Sequence, residues 1–402
     1  MKFLHLADAH LDSPFLGLSF LPRDRFSQIQ KATNQAFENS VTTALKENVD
    51  LVLIAGDTFD SNSPSPKSQF FFANQVKRLT DAHIQVVMVF GNHDAMQPQN
   101  LLVTPSPYFK LLGADQTVAS VLLKTRTGFT YQVNGFSYRE NHITQDMIPE
   151  FPKKSSIYTF GLMHGALKSS AKSQNVYAPF TLREIQELNY DYFALGHIHK
   201  RQTLCTSPWV VYPGNMQGRH INESGAKGFL LGVIDESSHQ TSISFHSAAP
   251  MIWQACQLTL SHPVDKATLQ QEILETIQHQ VKCTTLFRLT ILGAQFLSSE
   301  ETELLTDPEF TQLLSQSLPQ SSLLVDVRFE STQKLILSAT DTQAFDQAAQ
   351  QVFTKETLNM IGKPIANKSE FIGTLLQDES FLKRIEAQAR YKVAQRLEGL
   401  KQ

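Results

Sequence analysis

The sequence predicts a layered α/β sheet sandwich flanked by helices over residues 1–250, then a smaller α+β capping domain over 251–335 and a helical C-terminal tail over 336–402. Three observations predict it. Through residue 200, short apolar runs alternate with amphipathic helical stretches, as expected when strands are buried between layers. At "HSAAPM", residues 246–251, that order gives way to a strand and helix series without the clustered His and Asp of the first part. The last stretch returns to a single helical stripe.

Each element follows from its residues. The strands are the runs "KFLHLA", "LVLIA", "IQVVMVF", "IYTFGLM" and "YFALG". Between the first two, Phe26, Ile29, Ala32, Ala36, Phe37, Val41 and Leu45 recur at helical spacing, which predicts a covering helix. "SNSPSPKSQ", residues 61–69, is rich in turn formers and predicts an exposed loop leading into the next helix. "WVVYPGN" and "GFLLGVID" read as strands, with "ESSHQTS" as a hairpin connection to "ISFHS". In the capping domain the order is strand "QACQLTL", helix "KATLQQEILETIQHQ", strand "TTLFRLTILG", a helical stretch near 298–316, and strand "SLLVDVRF". The tail places Leu382, Ile385, Ala389, Val393, Leu397 and Leu400 on one stripe, and from Ser380 onward six Lys or Arg against two Glu give it 6 − 2 = +4. A stripe of this kind predicts a docking helix for a partner. No repeat or low-complexity tract interrupts the chain.

Composition narrows the function classes. The chain has 402 residues, 35 basic and 38 acidic side chains and a net charge of −3, so no overall field marks a polyanion binder and any nucleic-acid contact must be local. Cys205, Cys256 and Cys283 have neither metal-ligand nor disulfide-framework spacing and suit a reducing cytosol. Asp8 and Asp12 interrupt the apolar start, and no run approaches the roughly 20 residues of a membrane span. The expectation is a soluble cytoplasmic protein.

Five strands end in residues that can ligate a metal. Asp8 and His10 follow the first, Asp57 and Asp60 the second, and Asn92 the third in "GNHD"; His164 follows the fourth, and His197 and His199 the fifth. Ligand sites in open α/β sheets form outside the carboxyl ends of the strands, so these residues converge. Asp, His and Asn donors without thiolates suit manganese, iron or zinc. A single catalytic zinc typically takes three protein ligands, whereas seven candidates besides Asp60 converge here, as two ions about 3.5–4 Å apart would require. Asp57, with ligands on either side, is the candidate bridge.

The ordered set "DAH", "GDTFD", "GNHD", "MHG" and "GHIH" resembles the calcineurin-like metallophosphoesterases, and its details resemble the SbcD-type DNA repair nucleases. "HLADAHLDSPF", "DYFALGHIHK" and "YPGNMQGRHINESGAKGF" resemble the YhaO subgroup most. The resemblance covers residues 1 to about 235. It implies a metallophosphoesterase sheet sandwich in which Asp8, His10, Asp57 and His199 hold one ion while Asp57, Asn92, His164 and His197 hold the other. It also implies that His93 protonates the leaving alkoxide, a role suited to an imidazole.

Asp60 of "GDTFD" and Asp94, next in sequence, compete to orient His93; relatives favour Asp60, which leaves Asp94 as a loop-capping carboxylate. Arg219 and His220 are candidate phosphate contacts, with Arg219 equally able to pair with Glu223. Asp12 orders the loop beneath the site, and Asn215 stands where related nucleases usually have serine. The expected function is metal-dependent DNA hydrolysis in repair, by a homodimer working with an SMC-like coiled-coil ATPase. The alternatives are a phosphodiesterase of nucleotides or other small diesters, and a weakly active scaffold for the ATPase.

Overall fold

The computed structural model describes residues 1–330 except 16, 19, 171–174 and 282, together with 339–366, 381–383, 385, 386 and 389. Two compact units divide the chain: residues 1–254 with 283–285, and residues 255–282 with 286–402. The division thus falls four residues beyond the expected 250, and a short segment returns to the first unit.

In chain order the first unit contains β1 (Lys2–Leu6), α1 (Arg23–Gln30), α2 (Ala32–Glu47), β2 (Leu51–Ala55), α3 (Pro66–Asp81), β3 (Gln85–Val89), β4 (Phe109–Leu111), β5 (Ala119–Lys124) and β6 (Thr130–Gly135). It continues through β7 (Tyr158–His164), α4 (Leu182–Leu188), β8 (Tyr192–Gly196), β9 (Gln202–Thr206), β10 (Trp209–Tyr212), β11 (Gly228–Ile234) and β12 (Thr241–Ser247). These strands form two six-stranded sheets, ordered β12-β11-β1-β2-β3-β4 and β5-β6-β7-β8-β10-β9.

Alternation along each strand builds the layers. Phe3, Leu51, Leu53, Val87 and Val89 pack against Tyr131, Val133, Phe160, Leu162, Tyr192 and Ala194 between the sheets. Their neighbours Leu4, Leu6, Val52, Ile54 and Met88 face outward onto Phe37 and Val41 of α2 and Phe72 and Val76 of α3. Phe193, Leu195, Val210 and Tyr212 do the same beneath Ile185 of α4. Strands buried on both faces read as continuous apolar runs, which is why five of them were legible. By contrast β5 and β6 were not expected: β5 is an edge strand with one face toward water, and Leu122 on it is 61% exposed.

Strands β1, β2 and β3 are parallel, as are β7 and β8, so in each sheet their carboxyl ends share one edge. The expected covering helix is divided at Lys31, whose N–H bonds back to Gln28. The hairpin between β11 and β12 is as expected, its turn held by Asp235, which accepts from the Ser237 hydroxyl and N–H and from Ser238 N–H.

The second unit takes up β13 (Ile252–Thr259) from Ala255 onward and adds α5 (Lys266–Gln278), β14 (Thr285–Leu292), α6 (Ser299–Thr306), α7 (Pro308–Gln316) and β15 (Leu323–Glu330). Its sheet runs β13-β14-β15, with β14 and β15 parallel. Leu269, Ile273 and Ile277 of α5 pack with Phe287, Leu289 and Ile291 of β14. The helical stretch expected near 298–316 breaks in two because Pro308 has no N–H to donate and Asp307 caps the second helix through Glu309 N–H. Helices α8 (Ala339–Val352) and α9 (Lys355–Ala366) follow. The docking stripe expected along the tail lies, beyond Leu382, Ile385 and Ala389, outside the described residues. No described helix is long and apolar enough to cross a membrane.

Candidate metal centre

The loops after β1 and β2 run side by side, with Asp8 N–H on Gly56 O at 3.1 Å and His10 N–H on Asp57 O at 3.0 Å. Asp8, His10, Asp57 and His197 all hold positive φ (51°, 44°, 49° and 101°). Left-handed backbone costs a residue with a Cβ about 1–2 kcal/mol, and such strain clusters where geometry serves function. The glycines between strand and ligand make the close approach possible. A Cβ on Gly91 would lie 2.2 Å from Asp57 Oδ1, and one on Gly56 would lie 2.6 Å from His164 Nδ1.

Three groups of donors result, Asp8 with His10 and His199, Asp8 with Asp57 and His164, and His10 with Asp60 and His93. In the first, His10 Nε2 faces His199 Nε2 at 3.0 Å, and Asp8 Oδ1 is 4.0 Å from the latter. In the second, His164 holds its Nδ1 on Ala55 O at 2.9 Å, which turns Nε2 to Asn92 Oδ1 at 3.0 Å and Asp57 Oδ2 at 3.3 Å. That same Asp57 oxygen is 3.8 Å from His10 Nε2, so it lies between these two groups. The His197 ring lies edge-on to His164, centroids 5.2 Å apart, and the main-chain N–H of His197 donates to Asp8 Oδ1 at 2.9 Å.

The electrostatics fit divalent cations. Burial pulls the imidazoles of His10 and His197 down to about 3, which leaves them neutral, the form that ligates. Burial also pulls His164 down, but Asp57 and Asp8 outweigh it and raise the ring to about 9. Burial raises Asp8, while Asp57, pushed up by burial, is held well below the usual carboxylate range by His164, His10 and His93. The carboxylates therefore draw positive charge into the centre: a proton on His164 Nε2 points to Asn92 Oδ1 at 3.0 Å, and the nitrogens His10 Nε2 and His199 Nε2 face one another at 3.0 Å. A cation between them satisfies both nitrogens.

His93 stands at the exposed mouth, with its N–H on Asp57 Oδ1 at 2.9 Å. Its Nδ1 is 3.3 Å from the main-chain oxygen of Asp60. The Asp60 carboxylate lies within 4.8 Å of a His93 ring nitrogen, in one group with His10. The carboxylate itself is 2.9 Å from His10 Nδ1 and is bonded by the Arg219 guanidinium, both of which face it from inside the fold. The Arg219 guanidinium is thus engaged with Asp60, while its main-chain N–H donates to the Glu223 carboxylate at 2.7 Å. His220 Nε2 lies 3.2 Å from Glu223 Oε1, which sets the ring beside that carboxylate.

Three minor expectations concerned loop chemistry. Asp94 is fully buried and accepts from Gly91, Thr58 and Phe59 N–H at 2.6, 2.7 and 3.3 Å, a loop cap, with its carboxyl pushed up to about 7 by burial and by Asp57. Asp12 ties Ser65 N–H and the Ser68 hydroxyl at 2.7 and 2.5 Å, ordering the entry to α3. Asn215 bonds Glu223 Oε2 at 2.8 Å. Sequence reasoning missed Glu223 as a histidine partner; its acid within "GRHINE" was the available signal.

Residues 1–201 match the calcineurin-like phosphoesterase family. The chain belongs to that family. It is 32% identical over 292 residues to the uncharacterized metallophosphoesterase YhaO of Bacillus subtilis (strain 168), covering 69% of this chain and 67% of that one. It is 28% identical over 264 residues to the DNA double-strand break repair protein Mre11 of Sulfurisphaera tokodaii, covering 62% and 61%. It is 26% identical over 267 residues to the SbcD component of the SbcCD nuclease of Escherichia coli K12, covering 57% and 64%. The resemblance to SbcD-type nucleases and the YhaO subgroup is borne out by these matches. This calcineurin-like phosphoesterase is accordingly a hydrolase of phosphate esters, and its alignments span between 61% and 67% of these relatives' own lengths.

Proposed function

We propose that this phosphoesterase is a two-metal DNA nuclease acting in repair in the cytoplasm. The observation that carries the reading is Asp57 Oδ2, buried between His164 Nε2 at 3.3 Å and His10 Nε2 at 3.8 Å, with His93 alongside at the exposed mouth. Asp8, His10, Asp57 and His199 would hold one ion, and Asp57, Asn92, His164 and His197 the other, manganese being the first choice for this donor set. Two such ions supply Lewis-acid polarisation of the phosphate and a water acidic enough to act as nucleophile at neutral pH.

The chain's own residues do the rest. With Nδ1 on the Asp60 carbonyl, His93 is left with Nε2 as the atom that would deliver a proton to the departing sugar oxygen. Its N–H bond to Asp57 ties the acid to the bridging carboxylate, so the two keep one geometry. Asp94 fixes the loops of both through three main-chain N–H groups.

DNA as substrate is supported by the names of the repair and nuclease relatives. The resemblance of the motifs to SbcD-type nucleases implies a dimer working with an SMC-like ATPase, for which the basic, striped tail is the proposed dock. Hydrolysis of DNA and of a small chromogenic diester, each with manganese and with and without the ATPase, tests the reading. DNA cleavage that a chelator abolishes is expected; turnover of the small diester alone, with or without the partner, would replace it with a small-diester phosphodiesterase, which the net charge of −3 favours. Deleting residues 380–402 should abolish co-purification with the ATPase and spare hydrolysis of the small diester.

A further inference from the structure

Glu223 is buried, only 7% exposed, yet four groups converge on it. Oε1 lies 2.6 Å from His199 Nδ1 and 3.2 Å from His220 Nε2, while Oε2 accepts the Asn215 amide at 2.8 Å and the Arg219 N–H at 2.7 Å. Lys227 Nζ, on the same segment, donates to the His199 carbonyl at 2.8 Å. Residue 199 is therefore gripped at both ring and backbone by residues 223–227. Arg219 extends the grip, because its guanidinium binds the Asp60 carboxylate that faces His10 Nδ1.

An imidazole whose Nδ1 faces a carboxylate carries its proton there and keeps the Nε2 lone pair. For His199 that lone pair points at His10 Nε2, 3.0 Å away, where two nitrogen acceptors repel unless a cation shares them. We propose that Glu223 is a positioning residue of the metal centre, fixing the tautomer and angle at which His199 presents Nε2 to the ion held with Asp8 and His10. It touches neither substrate nor ion. The inference rests on the metal-centre reading above, and nothing in the motifs "DAH", "GNHD" or "GHIH" assigns it.

The test uses the full chain, stripped with a chelator and titrated with zinc or manganese alone. Wild type is expected to take up two ions. Glu223→Gln keeps the volume and an oxygen acceptor but loses the charge, and should weaken one of the two sites roughly 10–100-fold while leaving the other unchanged. In the zinc-loaded wild type, a downfield exchangeable ring proton should mark His199 Nδ1, and Glu223→Gln should shift or remove it. Absence of that proton in wild type overturns the proposal even where the variant does not fold. Asn215→Ala controls for the loop, since it takes one of two donors from Oε2 and leaves the contact to His199: weakening equal to that of Glu223→Gln would make Glu223 a loop support only. Equal weakening of both sites, or none, also overturns it. A wild type that takes up two ions with no effect of Glu223→Gln removes Glu223 alone, whereas a wild type that takes up no ion removes the metal-centre reading itself.

Discussion

The two units are built by the same physics and used differently. Each buries alternating apolar residues of a sheet against helices or a facing sheet, Leu53 and Val87 in the first and Leu289 and Ile291 in the second. The strand ends differ. In the first unit they carry buried Asp8, His10 and Asp57 on left-handed backbone with buried His164 beside them, whereas among the described residues of the second the positive φ values fall on Gln320 and Ser321 of a turn, and on Gly293. Buried polar groups of the second unit serve local ends: Glu301 caps α6 with Ser298, and Ser315 receives Leu324 N–H. Strain and buried charge therefore coincide at the strand ends that carry the candidate ligands, and among the described residues of the second unit no residue with a Cβ at the carboxyl end of a strand holds positive φ.

The largest effect should come at the mouth of the first unit. His93→Gln is expected to lower turnover by something like 10² to 10⁴-fold, the range for losing a general acid, with metal content unchanged. Metal analysis beside steady-state kinetics checks it. Loss of both together would make His93 a ligand and erase its distinction from His10.

The second unit should answer only in stability. Ile273 is fully buried, and Ile273→Ala should cost about 2–5 kcal/mol of that unit's folding while leaving metal titration of the first unchanged. Denaturant melts followed alongside metal uptake would show it. A fall in metal affinity would join the two units thermodynamically.

Much of this was legible from the chain because its logic is local. A strand buried on both faces leaves a run such as "VVMVF", and the ligand follows within a few residues of its end. Edge strand β5 left no such run, because half of it faces water. Partners of the carboxylates were hidden for another reason. Asp60 meets Arg219 across 159 residues of sequence and Glu223 meets His199 across 24, and these pairings are decided by how loops cross the sheet edge, not by spacing. Asp60, the expected partner of His93, does lie beside it: the hydrogen bond of the ring goes to the Asp60 carbonyl, while the Asp60 carboxylate, within 4.8 Å of a ring nitrogen, bonds His10 and Arg219.

That arrangement can be tested directly. Asp60→Asn should weaken the site of His10 roughly 10–100-fold in metal affinity, the range for an outer partner of a ligand, and change turnover little once metal is saturating. Turnover at saturating metal that falls as far as in His93→Gln would instead return the carboxylate to the role of orienting His93.

The smallest effect probes the core beneath the site. His5 is fully buried, with Nδ1 2.9 Å from the Tyr192 hydroxyl and Nε2 3.2 Å from Leu195 O, and burial lowers its imidazole from 6.5 to about 3. The unfolded chain takes up this proton below about pH 6.5, while the native chain refuses it until about pH 3. The stabilising contribution is therefore complete above the unfolded value and is lost as pH falls through the window between the two. Linkage sets the slope at up to about 1.4 kcal/mol per pH unit for one proton. His5→Gln does not titrate and can keep both hydrogen bonds, so urea midpoints measured from about pH 7 down to about 4.5 should fall less steeply than in wild type, by the slope of one proton. The carboxylates and the metal-site imidazoles titrate alike in both proteins and cancel in the difference, provided chelator is present throughout. Parallel pH profiles would mean that His5 is protonated in the native core, and that a buried positive charge is tolerated beneath Asp8 without a metal.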